Sequence, residues 1–327
     1  MSELNNPHDA FFKKHFGNKK IAQNFLENYL PTEITKVLDL SYLTKEDKSY
    51  VDEDLKESHS DMLYKTKING KDGYIYILFE HKSYNDPSVL LQLLKYILRI
   101  WEEKYNTKTN KLPIIIPLVI YNGESKWNIE TKLINLIEGI EELPEIMKQY
   151  IPTYQYEIYD FSPEEKLGIV GLANLKAILQ TTRVARVKTG EKFDEELRRA
   201  FEFLIGIKDK KTFNELFESC MLYLMYTRDD INIEKVKEVA KKVMDERGEL
   251  IMTIAEKLKN EGMEKGIEKG KLEGEKDFAI RILSKRFGNQ LTEEIKEKIR
   301  KANEKSIDYI GDNLLEITIE ELKELLK

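Results

Sequence analysis

Three ionisable residues end the most apolar short stretch of this 327-residue sequence, and their types suit metal and acid–base chemistry. Residues 74–79 are apolar at every position, which predicts a strand buried on both faces. The stretch ends in Glu80, His81 and Lys82, and a buried strand seldom ends in three ionisable residues without a use for them. Glu80 and Lys82 are two residues apart, so we expect them to share one face of the strand.

Asp61 is the acid that we expect to complete this group. It begins an alternating segment, residues 61–68, and a turn at residues 69–73 with two glycines joins this segment to the apolar strand as a hairpin. An even loop, such as the four residues 69–72 or 70–73, places Asp61 on the face of Glu80, whereas a five-residue loop pairs it with His81. We expect the even loop.

Two carboxylates that converge at a strand end form a hard-oxygen site. We expect Asp61 and Glu80 to bind Mg²⁺, or Mn²⁺, with the backbone carbonyl of His81 as a further ligand. Such a metal lowers the pKa of a bound water and polarises a phosphoryl oxygen, and Lys82 would orient that water or neutralise charge on the phosphorus. The same residue types also occur by chance as solvated strand-end charges, but their placement on two neighbouring strands favours chemistry.

Four phrases of the sequence resemble the bacterial recombination-promoting nuclease / putative transposase family: PHDAFFK at 7–13, SDMLY at 60–64, LFEHKS at 78–83 and IYNG at 120–123. The resemblance implies a PD-(D/E)xK nuclease fold, metal-dependent cleavage of DNA, and a link to recombination or mobile elements. Many members carry Gln at the position of Lys82, so the lysine brings this sequence closer to the wider superfamily motif.

Other polar residues are candidates for accessory roles. Asp9 begins a predicted helix, where an acid serves as a cap or dipole partner, and the resemblance implies an accessory acid at this place. Gln92 and Tyr96 are one turn apart on a later predicted helix, and the resemblance implies a polar residue there beside the metal; a solvated helix face is the alternative. Lys95 and Arg99 of that helix are candidate phosphate contacts.

The elements expected to position these residues form an α/β fold with a restriction-endonuclease-like mixed sheet (αβββαβ) over residues 1–160. Helices are predicted over residues 7–30 with a break near Gly17, an edge strand over 37–43, and a buried strand near 113–121 that lies parallel to its partner. A helix follows residues 85–88, and its predicted apolar stripe is Leu90, Leu91, Leu94, Ile97, Leu98 and Trp101.

The rest of the chain is predicted to be helical. Residues 161–247 form a helical region that starts with Ser162 as N-cap and contains a small basic cluster, Arg183, Arg186 and Lys188. We expect this cluster to be a solvated face, and contact with DNA is the alternative. Residues 248–327 form a tail with helices over 277–288 and 292–301 and a last helix starting at Thr318.

Glycines recur at every fourth residue of this tail, at Gly262, Gly266, Gly270 and Gly274. In an isolated helix each glycine costs about 1 kcal/mol relative to alanine, so close packing along the glycine stripe is expected to compensate. We therefore expect self-association or partner docking through this helix, with a homo-oligomer, a dimer, as the expected assembly; a weakly helical linker is the alternative.

Composition excludes several classes of protein. A net charge of -6 and a pI near 5.6 argue against a protein that coats nucleic acid indiscriminately, and one cysteine, Cys220, excludes an intramolecular disulfide. The polar first residues lack the core of a signal peptide, and no apolar run is long enough to span a bilayer, so we expect a soluble cytoplasmic protein.

The alternative to a nuclease is a non-catalytic DNA- or protein-binding module that oligomerises through its C-terminal helices.

Overall fold

The structure, a computed structural model, describes residues 6–47, 59–80, 86–165, 167–243 and 248–326. Those residues form a mixed five-stranded sheet near the N-terminus, followed by helices, so the predicted fold class is confirmed. The chain divides into two compact units, Met1–Ile251 and Met252–Lys327. The candidate site lies in the first unit.

The strands of the described residues lie side by side in chain order, β1-β2-β3-β4-β5. Their bounds are β1 Leu38–Lys45, β2 His59–Ile68, β3 Lys71–Glu80, β4 Ile114–Tyr121 and β5 Glu157–Asp160. β1, β2 and β3 pair antiparallel, whereas β4 is parallel to β3 and β5 is parallel to β4. The edge strand β1, the buried strand β3 and the parallel strand β4 are confirmed. The sequence does not predict β5, because its 4 residues are too few to show a periodic pattern.

A two-residue turn, Asn69 and Gly70, joins β2 to β3, since Ile68 pairs directly with Lys71. Both turn residues have positive φ angles, 49° and 76°, which matches the mirror-image turn that two-residue hairpin loops prefer. The loop is therefore even, as predicted, but two residues long rather than four.

Helices cover both faces of the sheet. The helices before β1 are α1 Pro7–Phe16, α2 Lys19–Tyr29 and the short α3 Thr32–Thr35, and the predicted break near Gly17 is confirmed. On their face of the sheet, Phe12 stacks on Phe79 with ring centroids 4.4 Å apart. Helix α4, Val89–Lys104, lies on the opposite face and packs against Tyr76 and Leu78. Because β3 is covered on both sides, it is apolar at consecutive positions.

The buried face of α4 differs from the predicted stripe. Its buried residues are Val89, Leu90, Leu93, Tyr96, Ile97 and Ile100. Leu91 and Leu98, which the sequence placed in the stripe, are 59% and 49% exposed. Tyr96, which the sequence placed on the polar side, is 1% exposed. Apolar residues occupy more than one side of this helix, so its sequence is compatible with two overlapping buried faces. Packing against the sheet determines which of the two is buried.

The segment after β5 corrects the predicted helix start at Ser162. Ser162 lies in a turn, where its backbone N–H donates to Asp160 Oδ1 at 2.8 Å. Aspartate caps such turns as readily as it caps helices, so the sequence pattern does not distinguish the two. The later helices of this unit are α5 Glu145–Lys148, α6 Ala173–Val184, α7 Glu191–Ile205, α8 Lys210–Thr227 and α9 Ile233–Val243.

Helix α8 packs against α1, so the predicted helical region belongs to the same compact unit as the sheet. The ring of Tyr223 stacks on Phe11 with centroids 4.2 Å apart, and His15 Nε2 lies 2.9 Å from Ser219 Oγ.

The second unit is helical and contains α10 Gly248–Phe287 from Met252 onward, together with α11 Glu293–Lys301, α12 Glu304–Asp312 and α13 Ile319–Leu325. Its core contains Leu283, Ile299, Ile310 and Leu322. The helix predicted over 277–288 is the end of the continuous α10, which also contains the four repeated glycines. Thr318 caps α13 through a capping box, as its position predicts. Within the described ranges, no helix combines the length and apolarity that a bilayer crossing requires.

Candidate active site at the strand ends

Asp61 and Glu80 lie on one face of the sheet, close to the same end of the β2–β3 hairpin. Asp61 pairs with Leu78, and Glu80 pairs with His59, so the two acids are diagonal neighbours across the hairpin. Residues so placed are separated by about 8 Å or less between Cβ atoms, which two carboxylate side chains can bridge through one ion. Asp61 is 5% exposed and Glu80 is 1% exposed. The structure therefore brings the two predicted acids together in a buried setting.

Tyr76 holds one of these carboxylates. Its hydroxyl donates to Asp61 Oδ2 at 3.1 Å, and its ring is fully buried. Sequence analysis missed this residue because it lies inside an apolar run. Its spacing from Glu80 could have identified it. Tyr76 and Glu80 are four residues apart on one strand, and residues an even number apart share a face of the sheet.

Tyr96 and Gln92 approach the same face of the sheet from α4. The Tyr96 ring lies 5.8 Å from that of Tyr76, centroid to centroid. Gln92 is one turn earlier on the same side of the helix, and its Nε2 donates to Ser88 Oγ. The Gln92 Oε1 atom is buried and accepts no hydrogen bond from the described residues. The structure thus places both candidates on the acidic side of the sheet, not on a solvated helix face.

Asp9 lies on α1, which packs on the opposite face of the sheet. Both of its carboxylate oxygens pair with Lys13 Nζ, at 2.7 and 2.9 Å, and its backbone N–H donates to Asn6. Within the described part of the chain, Asp9 makes the contacts of a residue at a helix start, with Asn6 and Lys13.

His81 and Lys82 lie outside the described residues, so the predicted carbonyl ligand and the predicted lysine stay predictions. Lys95 is exposed and Arg99 is half-buried on α4. Among the described residues, no group of three or more His, Cys, Asp or Glu side chains is close enough to hold a metal. The described part of the site therefore supplies two carboxylates.

A row of residues continues the site across the sheet. Glu80 pairs with Tyr121 of β4, and Tyr121 pairs with Asp160 of β5. Burial raises the pKa of the Tyr121 phenol, and the carboxylates of Asp160 and Glu80 add to this rise. The Ser125 hydroxyl and the positive charge of Arg186 act in the opposite direction. Charged groups on β3, on β5 and in the segment around Arg186 therefore all influence the pKa of the buried Tyr121 phenol.

Asp160 has a structural role in this row. Its Oδ1 accepts from the Ser162 backbone N–H at 2.8 Å, and its Oδ2 accepts from the Trp127 backbone N–H at 2.7 Å. Trp127 itself is 7% exposed and packs against Tyr121, so this tryptophan is part of the core.

Gly123 makes room for Tyr121. A Cβ atom at Gly123 would lie 1.9 Å from the Tyr121 hydroxyl, and Tyr121 is fully buried. The glycine that follows Asn122 is therefore required for the tyrosine to keep this position beside Glu80.

The fold and the site define the class of protein: a mixed α/β protein with a buried acidic pair at the ends of its central strands. The chain belongs to the family described as "Putative transposase, YhgA-like", whose model matches residues 6–212. This confirms the family expected from the resemblance.

Curated relatives cover most of the chain. The inactive recombination-promoting nuclease-like protein RpnE of Escherichia coli (strain K12) is 25% identical over 301 residues, 89% of this chain and 94% of RpnE. The recombination-promoting nuclease RpnD of Escherichia coli O157:H7 is 26% identical over 262 residues, 78% of this chain and 95% of RpnD. The recombination-promoting nuclease RpnA of strain K12 is 25% identical over 267 residues, 78% of this chain and 84% of RpnA. No solved structure matches the chain.

Proposed function

We propose that the protein is a metal-dependent endonuclease that hydrolyses phosphodiester bonds of DNA, with a role in recombination or in mobile elements. The observation that carries the proposal is the placement of Asp61 and Glu80 on one face of the sheet, near the same end of the hairpin and almost fully buried. The names of RpnD and RpnA as recombination-promoting nucleases support it. The arrangement suits a nuclease of the PD-(D/E)xK type.

The donor set fits Mg²⁺, with Mn²⁺ as an alternative. Two carboxylates and the buried Gln92 Oε1, which has no donor among the described residues, are hard oxygen atoms. Asp61 and Glu80 would hold the metal, aided by the backbone carbonyl of His81. A bound divalent cation supplies charge to stabilise the phosphoryl oxygens and to acidify a water.

The chain's own side chains supply position and protection. The Tyr76 hydroxyl orients the Asp61 carboxylate, and Asp61 and Glu80 are both almost fully buried. In the proposed reaction Lys82 orients the attacking water, while Lys95 and Arg99 contact phosphates along the DNA and position it without reading its sequence.

A second candidate is a non-catalytic module that binds DNA or a protein partner. RpnE, which matches 89% of this chain, is named inactive. Asp61, Glu80 and Lys82 are all present here, and this favours the enzyme over the module, because loss of an acid is the simplest way to inactivate such a site.

We further propose that DNA is the partner, that the protein acts in the cytoplasm without a membrane partner, and that it forms a homodimer through the glycine repeat of α10. The single cysteine, Cys220, is a buried free thiol, which suits a reducing compartment.

Cleavage of supercoiled plasmid by the purified protein with Mg²⁺, Mn²⁺ or Ca²⁺ tests the proposal. Asp61→Asn and Glu80→Gln remove the charge of each acid while keeping its shape, and each is expected to lower the cleavage rate by roughly 100-fold or more. Asp72→Asn is the matched control, because Asp72 lies at the turn end of the same hairpin with a side chain 50% exposed.

Cleavage that requires Mg²⁺ or Mn²⁺ and is lost only in the two site variants supports the nuclease. Equal cleavage by the wild type and Asp61→Asn would show that the site is misplaced or the activity foreign. DNA binding without cleavage under any metal would favour the second candidate.

A further inference from the structure

A half-buried arginine outside the acidic pair contacts the same strand ends. Arg186 follows α6, and its Nε donates to the backbone carbonyl of Asn122 at 2.9 Å. Asn122 comes directly after β4, and its backbone N–H donates to the backbone carbonyl of Glu80 at 2.9 Å. Two successive hydrogen bonds therefore connect the guanidinium to the strand end that carries Glu80.

The strand ends that these bonds connect lie side by side. Tyr121, the last residue of β4, pairs with Glu80, the last residue of β3, and Asn122 follows Tyr121 directly. The guanidinium of Arg186 is therefore bonded to the residue next to the cross-strand partner of Glu80.

Arg186 is held in place from several elements. One of its terminal nitrogens, Nη2, lies 3.3 Å from His8 Nε2 at the start of α1. The other ring nitrogen of His8, Nδ1, lies 2.8 Å from the Tyr223 hydroxyl of α8. With Nε2 accepting from the guanidinium, the ring proton is on Nδ1 and donates to Tyr223. A cation fixed by α1, α8 and the loop after β4 is organised before any ligand binds.

The neighbouring basic residues differ from Arg186. Arg183 is 9% exposed, and its guanidinium donates to the backbone carbonyls of Phe161 and Leu167, so it is a structural residue and not part of a solvated face. Lys188 is exposed. Within the predicted basic cluster, Arg186 alone contacts the loop that is bonded to Glu80.

We propose that Arg186 is a substrate-binding residue of this site and contacts a backbone phosphate of the nucleic acid next to the scissile bond. The inference rests on the proposed nuclease function. Two buried carboxylates repel an anionic backbone, and a fixed guanidinium offsets that repulsion. The planar, delocalised guanidinium is also the side-chain cation best matched to phosphate oxygens. The active site then extends to the helices after the sheet, because Arg186, the residue that binds the phosphate, comes from that part of the chain.

Binding of a short DNA duplex, followed by fluorescence anisotropy as a function of salt, tests the inference without cleavage. The measurement is made without metal in the Asp61→Asn background. Arg186→Gln is expected to weaken binding roughly tenfold and to lower the slope of log K against log salt by about one. Lys188→Gln makes the same change of charge two residues away, and its slope is expected to stay that of the parent.

Arg186→Lys keeps the charge but loses the fork, so the salt slope is expected to stay while binding weakens several-fold. Thermal unfolding of each variant identifies any loss of fold, and the lysine variant decides the question if Arg186→Gln does not fold. An unchanged affinity and slope in a folded Arg186→Gln or Arg186→Lys protein would overturn the inference.

The two proposals fail separately. If the wild type does not cleave plasmid, the nuclease proposal fails, but the anisotropy measurement still decides whether Arg186 binds phosphate. If cleavage depends on Asp61 while the Arg186 variants bind and cleave like the parent, the nuclease stands and the role of Arg186 is only structural.

Discussion

At the scale of single residues, the acidic pair depends on the hydroxyl of Tyr76. A carboxylate that is almost fully buried is costly without hydrogen-bond donors, and Tyr76 supplies one to Asp61 Oδ2. The same bond fixes the direction of the other carboxylate oxygen, so Tyr76 acts as a positioning residue for the proposed metal ligand.

Tyr76→Phe is expected to weaken Mn²⁺ or Mg²⁺ binding by roughly 10- to 100-fold, because the variant removes a hydrogen bond that orients the Asp61 carboxylate. Calorimetric titration of the metal, together with the metal dependence of cleavage, measures this effect. Tyr64→Phe is the control, since Tyr64 is equally buried on the other face of β2 and donates to the Phe16 carbonyl at 2.5 Å. Equal loss of metal affinity in both variants would assign Tyr76 a purely structural role.

At the scale of elements, the packing of α1 against α8 makes folding sensitive to acid. His15 Nε2 lies 2.9 Å from Ser219 Oγ, and burial, with a smaller contribution from Lys14, lowers the pKa of His15 from 6.5 to about 3. Between these two values the unfolded chain binds a proton that the folded chain does not. The contribution of His15 to stability is therefore full above pH 6.5 and is lost as the pH falls toward about 3.

His15→Gln removes this titration and keeps a side chain that can bond Ser219. Relative to the variant, the free energy of unfolding of the wild type is expected to fall by up to about 1.4 kcal/mol for each pH unit below 6.5. Denaturant unfolding at several pH values measures the difference in the free energy of unfolding between the two proteins. The carboxylates titrate in both proteins, so their contribution cancels in this difference. Parallel stability curves for the two proteins would contradict the expectation.

At the scale of the whole molecule, the glycine repeat of α10 is the feature from which we propose a dimer. A Cβ atom added at Gly270 or Gly274 would meet no described atom within 4 Å, so these positions are open in the single chain. Alanine at both should strengthen an isolated helix by about 1 kcal/mol per residue, whereas it should obstruct a second helix packed closely on the stripe.

The double variant Gly270→Ala, Gly274→Ala is therefore expected to weaken dimerisation at least tenfold without lowering the thermal stability of the monomer. Analytical ultracentrifugation over a range of concentrations measures the association. Gly311→Ala in α12, which is equally open, serves as control. A wild-type protein that is monomeric at all concentrations, or a dimer unaffected by the alanines, would refute the proposed association.

The local part of the fold and the acidic pair followed from the sequence. Period-two alternation, the Asn69-Gly70 turn and an apolar β3 determine a hairpin, and an even loop puts Asp61 and Glu80 on one face whatever its length. The cap of α13 at Thr318 and the break after α1 follow equally from neighbouring residues. These features depend on interactions within a few residues, which a sequence pattern records.

Only the tertiary structure decided the surroundings of the pair. The sheet selected which face of α4 is buried, and so brought Tyr96 beside Tyr76. The tertiary structure also places Arg186 in contact with Asn122, 64 residues earlier in the chain, and places β5 beside β4. Such contacts depend on packing between distant segments, and a helix with several apolar sides or a single arginine carries no local pattern that predicts its partner.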